Sequence, residues 1–252
     1  MWGTKITRGD LSEEPSAIGL LTRRIAQASP LGESEQQLLA ASLGHSRIYP
    51  AKSEISVMHD GQPHPKLIVS GWASRERVLR NGRRQLLSLL LPGDLIGNWS
   101  MEGALDLEET VAVSDVLVVS LERLMRGIEE SPEQYPGIIG GLSALRLSEE
   151  RRLLEHMARL GLPAPQRLAN LLIELFARCQ EVGITQGNSF VMPLGQEELS
   201  NALGLSLVHM NRVIGDLKAR KLISMRAGLL TMEDAQGLAL LAGSPSASGT
   251  AG

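Results

Sequence analysis

The side chains best suited to recognition chemistry lie in one short segment, residues 206–220. Arg212 ranks first among them, because its guanidinium can donate two parallel hydrogen bonds to guanine O6 and N7. Asn211 can pair with adenine or a phosphate, and His209 can reach either kind of group. The rest of the predicted contact set is Ser206, Val208, Lys218 and Arg220. Catalytic motifs such as Gly-x-Ser-x-Gly, a phosphate loop or His-Glu-x-x-His do not occur, so we expect no enzyme.

Two helices and a hairpin must position these side chains. One apolar face is expected at helical spacing: Met210, Val213, Ile214 and Leu217. Burial of that face leaves Val208 and Arg212 on the opposite one. Gly204 stands where a preceding helix must end and turn sharply, and Ser206 is a suitable N-cap for the next helix. Residues 194–232 therefore predict a winged helix-turn-helix, which indicates binding of duplex DNA.

The local charge supports this interpretation, although the whole chain carries a net charge of −3. Between residues 212 and 226 Asp216 is the single acid, and the basic residues are Arg212, Lys218, Arg220, Lys221 and Arg226. A basic edge of this kind suits phosphate groups. The alternative is a helical hairpin in an ordinary α domain, whose lysines and arginines are merely solvated.

Composition limits the other possibilities. A length of 252 residues with 43% hydrophobic content fits a two-domain soluble protein. Cys179 is the single cysteine, which excludes an intramolecular disulfide and an all-cysteine iron–sulfur or zinc site within one chain. No apolar run reaches the roughly 18–20 residues of a membrane span, and the N-terminus lacks a signal-peptide core. We therefore expect a cytoplasmic protein with no membrane association, metal or cofactor.

The chain is expected to be an α+β protein with four parts. Residues 1–130 combine N-terminal helices with short β segments whose spacing is typical of a sandwich or jelly-roll β barrel. Residues 131–160 form a long amphipathic dimerisation helix that begins at Ser131-Pro132. Residues 161–242 follow a Pro- and Gly-rich hinge and contain the winged helix-turn-helix. Residues 243–252, rich in Ser, Gly and Ala, are expected to be a disordered tail.

The long helix carries a stripe of large apolar side chains that a monomer would expose. We expect this stripe to pair with a second copy of the chain. The predicted dimer interface is Leu142, Leu145, Leu153, Met157 and Leu160. The alternative is that the helix packs only on the β domain of its own chain.

The order of these parts, from about residue 18 to 232, resembles the Crp/Fnr family of bacterial transcription regulators. The resemblance rests on residues 69–73, 81–85, 91–97, 166–169 and 203–212. It implies a cyclic-nucleotide-binding-like β domain and a homodimer on a pseudo-palindromic site, with one recognition helix in each of two major grooves. It also implies that the protein contacts or blocks RNA polymerase.

The effector region departs from the family pattern. Cyclic-nucleotide-binding members carry Gly-Glu and then Arg-Ser, whereas residues 105–110 here read Leu-Asp-Leu-Glu-Glu-Thr, which would repel a phosphate. The pocket candidates are Gly97, Asn98, Trp99, Ser100, Arg152 and Leu153. Trp99 could stack on a flat ligand or fill the pocket itself. We expect no control by cyclic AMP in the usual way: the protein is constitutively competent for DNA or senses another small ligand.

Two further alternatives remain open. A haem or gas sensor would need an axial ligand among His45, His59, His64 and His156. A ligand- or protein-binding signalling module would use the winged helix for protein contacts in place of DNA.

Overall fold

The computed structural model describes residues 16–56, 65–80, 82, 84–97 and 109–243, and the backbone of residues 58–59 and 62–63. These residues form two compact units, 16–154 and 155–243. The predicted tail lies outside the described residues, apart from Gly243. No helix in the described part of the chain combines the length and apolar character needed to cross a bilayer.

The N-terminal unit contains helices and short strands. Its helices are α1 (Ala17–Ala26), α2 (Glu33–Ala41), α3 (Glu122–Glu130) and α4 (Pro136–Arg159), which continues past the unit boundary. Its strands are β1 (Ser46–Tyr49), β2 (Met58–His59), β3 (Gln62–Pro63), β4 (Lys66–Ser70), β5 (Ala73–Val78), β6 (Arg84–Leu90), β7 (Leu95–Ile96), β8 (Glu109–Ala112) and β9 (Val116–Ser120).

The strands pair antiparallel in the orders β1-β9-β4-β7 and β6-β5-β8, beside a small β2–β3 hairpin. Ile68 and Val118 of the first sheet share one apolar core with Ala73 and Leu90 of the second. Two antiparallel sheets that share a core are consistent with a jelly roll, and helices accompany them as expected for the α+β class. Within the described residues the strands form separate sheets and do not close a barrel.

A second apolar core joins the helices of this unit to the sheet. It contains Ile25 of α1, Leu39 of α2, Leu124 of α3 and Ile138 of α4. Helix α3 was not predicted. The prediction that the long helix begins at Ser131-Pro132 is wrong, because Pro132–Gln134 form a single 3-10 turn before α4 starts.

A buried carboxylate fixes the first turn of α4. Glu35 of α2 is 5% exposed and accepts hydrogen bonds from the backbone N–H groups of Gly32 (2.7 Å), Gly137 (2.6 Å) and Ile138 (3.0 Å). The first N–H groups of a helix have no partner within the helix, and a negative charge there also favours the helix dipole. Gly137 is required sterically, since a Cβ at this position would lie 2.4 Å from the Pro30 carbonyl oxygen.

The C-terminal unit is a winged helix-turn-helix between two further helices. In chain order it contains α5 (Ala164–Glu181), β10 (Thr185–Gln186), β11 (Ser189–Val191), α6 (Gln196–Leu203), α7 (Leu207–Ala219), β12 (Ile223–Arg226), β13 (Leu229–Met232) and α8 (Ala235–Ala242). The strands form one antiparallel sheet in the order β10-β11-β13-β12. Helix α8 and strands β10 and β11 were not predicted, whereas α6, α7 and the β12–β13 hairpin confirm the expected motif.

Glu35→Ala should destabilise the protein by roughly 2–5 kcal/mol, because it leaves buried backbone N–H groups without acceptors. Urea unfolding measures the free energy, with Glu33→Ala as the control because Glu33 is exposed in the same first turn of α2. Equal free energies of unfolding for the two variants would contradict the role of Glu35.

Candidate nucleic-acid interface

Helix α7 divides its side chains between the core and the solvent as its sequence predicts. Its buried residues are Met210, Val213, Ile214 and Leu217. Ser206 is the N-cap, and its hydroxyl accepts a hydrogen bond from the His209 backbone N–H at 3.3 Å. Gly204 ends α6 in the left-handed conformation with φ +62°. The turn between the two helices is therefore determined by Gly204 and Ser206, two local features that can be recognised in the sequence.

The exposed side of α7 contains several of the predicted contact residues. Val208, Asn211, Arg212 and Gly215 lie on one face at spacings of three and four residues, and all are exposed. A Cβ at Gly215 would meet no atom within 4 Å, so the backbone is open to close approach there. His209 is exposed at the edge of this face. We call Val208, Asn211, Arg212 and Gly215 the reading face of α7. Contacts between this face and DNA stay a prediction.

Cations flank the reading face at its C-terminal end. Lys218, Arg220 and Lys221 are exposed, and Arg226 is exposed at the end of β12 in the wing. The Arg220 guanidinium lies 3.6 Å from the Asp216 carboxylate, one turn back on the same helix. An exposed pair of this kind is weak, so Arg220 remains able to contact a phosphate.

Arg167 holds the start of the motif in place, a role that the sequence did not reveal. Its Nε donates to the Leu162 carbonyl oxygen in the hinge at 2.6 Å, and its Nη1 donates to the Leu203 carbonyl oxygen at 2.9 Å. Leu203 is the last residue of α6, where carbonyl groups lack helical partners. One planar guanidinium therefore ties the hinge to the turn before α7. Arg167 falls in a family-like segment, but spacing alone does not tell which carbonyl groups it contacts.

Charged groups also connect the end of α4 to α5. Glu174 forms ion pairs with Arg159 and, at 3.3 Å, with Arg178. Burial lowers the pKa of the neighbouring His156, and the positive charge of Arg159 lowers this pKa further. His156 is therefore harder to protonate than a free imidazole, although the Glu174 carboxylate acts in the opposite direction.

Two of the histidines named as possible haem ligands, His45 and His156, have side chains in the described part of the chain. No group of three or more His, Cys, Asp or Glu side chains there is arranged to hold a metal ion. His45 is exposed, and His156 is half-buried among charged groups. The side chains of His59 and His64 lie outside the described residues.

Arg152, a predicted pocket residue, forms an internal ion pair. Its Nη2 lies 3.5 Å from Asp94 Oδ1, and Arg24 Nη2 lies 3.6 Å from the same oxygen. Asp94 Oδ2 accepts the Leu91 backbone N–H at 2.8 Å. Asp94 is buried, so this network joins α1, α4 and the turn before β7.

Of the other predicted pocket residues, Gly97 and Leu153 lie in the described part of the chain. Gly97 has φ +101°, a conformation that favours glycine. Leu153 is half-buried. Asn98, Trp99 and Ser100 lie outside the described residues. Glu149, which lies one turn before Leu153 on α4, pairs with Arg75 of β5 at 2.5 Å.

The residues predicted for the dimer interface differ in exposure, and their pairing with a second copy stays a prediction. Leu142 is buried in the core of its own unit, and Leu145 packs against that core. Leu153 and Leu160 are half-buried. The large exposed apolar side chains in this part of α4 are Leu147, Leu154 and Met157, which are 65%, 61% and 67% exposed. Their spacings of seven and three residues place them on one face, here called the outer stripe of α4.

Known proteins resemble the chain in both sequence and fold. Residues 166–241 match the family model of the Crp-like helix-turn-helix domain. The transcriptional activator protein FnrL of Cereibacter sphaeroides is 26% identical over 197 residues, 77% of this chain and 78% of that protein. The nitrogen fixation regulation protein FixK of Rhizobium meliloti is 26% identical over 205 residues, 80% of this chain and 90% of that protein. The structure of FixK2 from Bradyrhizobium japonicum superposes with a TM-score of 0.67 at 23% identity, covering 81% of this chain and 98% of that one.

Arg167→Lys should loosen the turn before α7, because one ammonium group cannot replace a fork that donates to two separate carbonyl oxygens. We expect a stability loss of about 1–3 kcal/mol and faster amide hydrogen exchange in residues 203–210. Arg212→Lys, the same change on an exposed side chain, serves as the control. Unchanged exchange rates in Arg167→Lys would show that the fork does not hold the turn.

Proposed function

We propose that the chain is a DNA-binding transcription regulator of the Crp/Fnr family and that it acts as a homodimer on a pseudo-palindromic site. Regulators of this family are not enzymes. Each protomer supplies one α7 helix to a major groove, so the two half-sites lie about one helical turn, roughly 34–36 Å, apart.

The observation that carries this proposal is the reading face of α7. The helix buries its apolar side while Val208, Asn211 and Arg212 are exposed near its N-terminal end. Recognition helices contact base edges with their N-terminal residues, and a guanidinium fits guanine in the major groove. The flanking Lys218 and Arg220 are suited to contact phosphates of the DNA backbone. Such contacts fix the register of the helix on the duplex.

The outer stripe of α4 supports the homodimer. Large apolar side chains exposed in a row on one helix are costly in water, and pairing with the same stripe of a second copy buries them. The inner side of the helix already packs within its own unit through Ile138 and Leu142. The proposed interface therefore consists of Leu147, Leu154 and Met157.

For the effector we propose control other than by cyclic AMP bound in the usual way. The support is the acidic sequence of residues 105–110 and the pairing of Arg152 with the buried Asp94. Arg152 already has a carboxylate partner within its own chain. The protein is then constitutively competent for DNA or responds to a different small ligand.

RNA polymerase is the protein partner that we propose, by analogy with FnrL, which is named as a transcriptional activator. Binding to chromosomal DNA and to polymerase places the proposed activity in the cytoplasm.

Selection of sites from a random duplex library, with purified protein and with or without cell extract, tests the function. A palindrome enriched without extract supports a constitutively competent regulator. Enrichment that needs extract shows that a diffusible effector exists. No enrichment under either condition, together with binding to a protein partner, would favour the signalling module.

Arg212→Ala should weaken binding to the selected site by about 1–3 kcal/mol and relax the preference at one base position. Fluorescence anisotropy over a series of salt concentrations measures specific and non-specific affinity separately. Lys218→Ala is the matched control: it should weaken both affinities together and reduce the salt dependence. An equal fall of both affinities in Arg212→Ala would identify Arg212 as a phosphate contact.

Leu154→Glu should shift the protein towards monomer, because it buries a carboxylate without a partner in the proposed interface. Sedimentation equilibrium measures the mass, and operator affinity should fall with it. Leu240→Glu is the control, since Leu240 of α8 is 67% exposed and lies outside α4. A dimer mass unchanged in Leu154→Glu would place the interface elsewhere.

A further inference from the structure

We propose that Val208 recognises the C5-methyl group of a thymine within about two base pairs of the guanine contacted by Arg212. This inference rests on the proposed function, and it names part of the operator sequence. It assigns to an aliphatic side chain a share of the sequence specificity that the polar residues alone would not provide.

Val208 is 71% exposed, more than the other large apolar side chains of the described residues. It stands in the first turn of α7, beside Leu207, which is 47% exposed. The apolar side chains that stabilise the unit are on the opposite side of the helix, so folding gives no reason for valine here. Exposed apolar surface at a binding face gains free energy when a partner covers it.

The chemistry of the first turn limits which base this partner can be. The first turn of α7 contains no acidic residue, so it offers no carboxylate to accept a hydrogen bond from cytosine N4. Valine can neither donate nor accept a hydrogen bond, and the thymine methyl is the one apolar group that the major groove presents. The surrounding cations make duplex DNA the fitting occupant, since Arg212 and Lys218 lie on the same helix.

The spacing on the helix places the thymine near the guanine. Val208 and Arg212 are four residues apart, so their Cβ atoms lie about 5–6 Å apart along one face. Adjacent base pairs are separated by about 3.4 Å along each strand. One to two base-pair steps therefore separate the two contacts.

The test uses the operator obtained by selection, with each thymine replaced in turn by deoxyuridine. This replacement removes only the methyl group and keeps base pairing. With the wild-type protein, one thymine per half-site should show about a fourfold loss of affinity on replacement, the factor expected for one buried methyl group. The position should lie within two base pairs of the one that Arg212→Ala relaxes.

Val208→Ala should bind the thymine operator more weakly and should no longer distinguish it from the deoxyuridine operator at that position. Leu240→Ala is the control for loss of an exposed apolar side chain, and it should discriminate like the wild type. A cytosine operator should regain affinity for the wild type when that cytosine is methylated at C5, and not for Val208→Ala.

The outcomes separate the inference from the function on which it rests. If selection enriches no duplex sequence, the proposed function fails. If an operator is found but Val208→Ala retains the full deoxyuridine effect at every thymine, or no thymine shows an effect, the methyl contact is wrong and the proposed function stands.

Discussion

Burial of one face of α7 is the constraint on which the rest of the C-terminal unit depends. Four apolar side chains enter the core, and this fixes the rotation of the helix about its own axis. The reading face follows from that rotation, since residues at spacings of three and four must then share the solvent side. The N-cap Ser206 and the fork of Arg167 fix where the helix starts. The orientation of the reading face is thus set by buried residues that lie on the other side of the helix.

Buried carboxylates have the matching role in the N-terminal unit. Glu35 holds the first turn of α4, and Asp94 holds Arg152 further along the same helix. Each carboxylate interacts with donors from more than one structural element. These interactions compensate for the loss of water around the buried group. These polar contacts and the apolar contacts of Leu142 occupy the inner side of α4. The outer stripe lies on the opposite side of α4. It is exposed because these contacts within the N-terminal unit are all made by the inner side.

The parts of the fold that could be predicted from the sequence are those determined by residues close together in the chain. The roles of the apolar face of α7, of Gly204 and of Ser206 follow from residues within one or two turns. Strand β11, in contrast, forms by pairing with β13, some forty residues later in the chain. Helix α4 has leucines on both sides, so periodicity could not distinguish those facing the core from those facing a partner. The partners of Arg167 and Asp94 depend on contacts distant in sequence. Charged side chains are ordinarily read as solvated, and nothing local marks these as exceptions.

The small size of the outer stripe has a consequence for dosage. Few large side chains join the protomers in the proposed interface, so the dimer and its monomers can coexist at moderate protein concentration. Where monomer predominates, the dimer concentration rises with the square of the total, and a twofold change in synthesis alters the DNA-binding species about fourfold. Operator occupancy then responds to copy number more steeply than linearly. On the proposed interface, the amount of protein that a cell makes is itself a control input that requires no ligand.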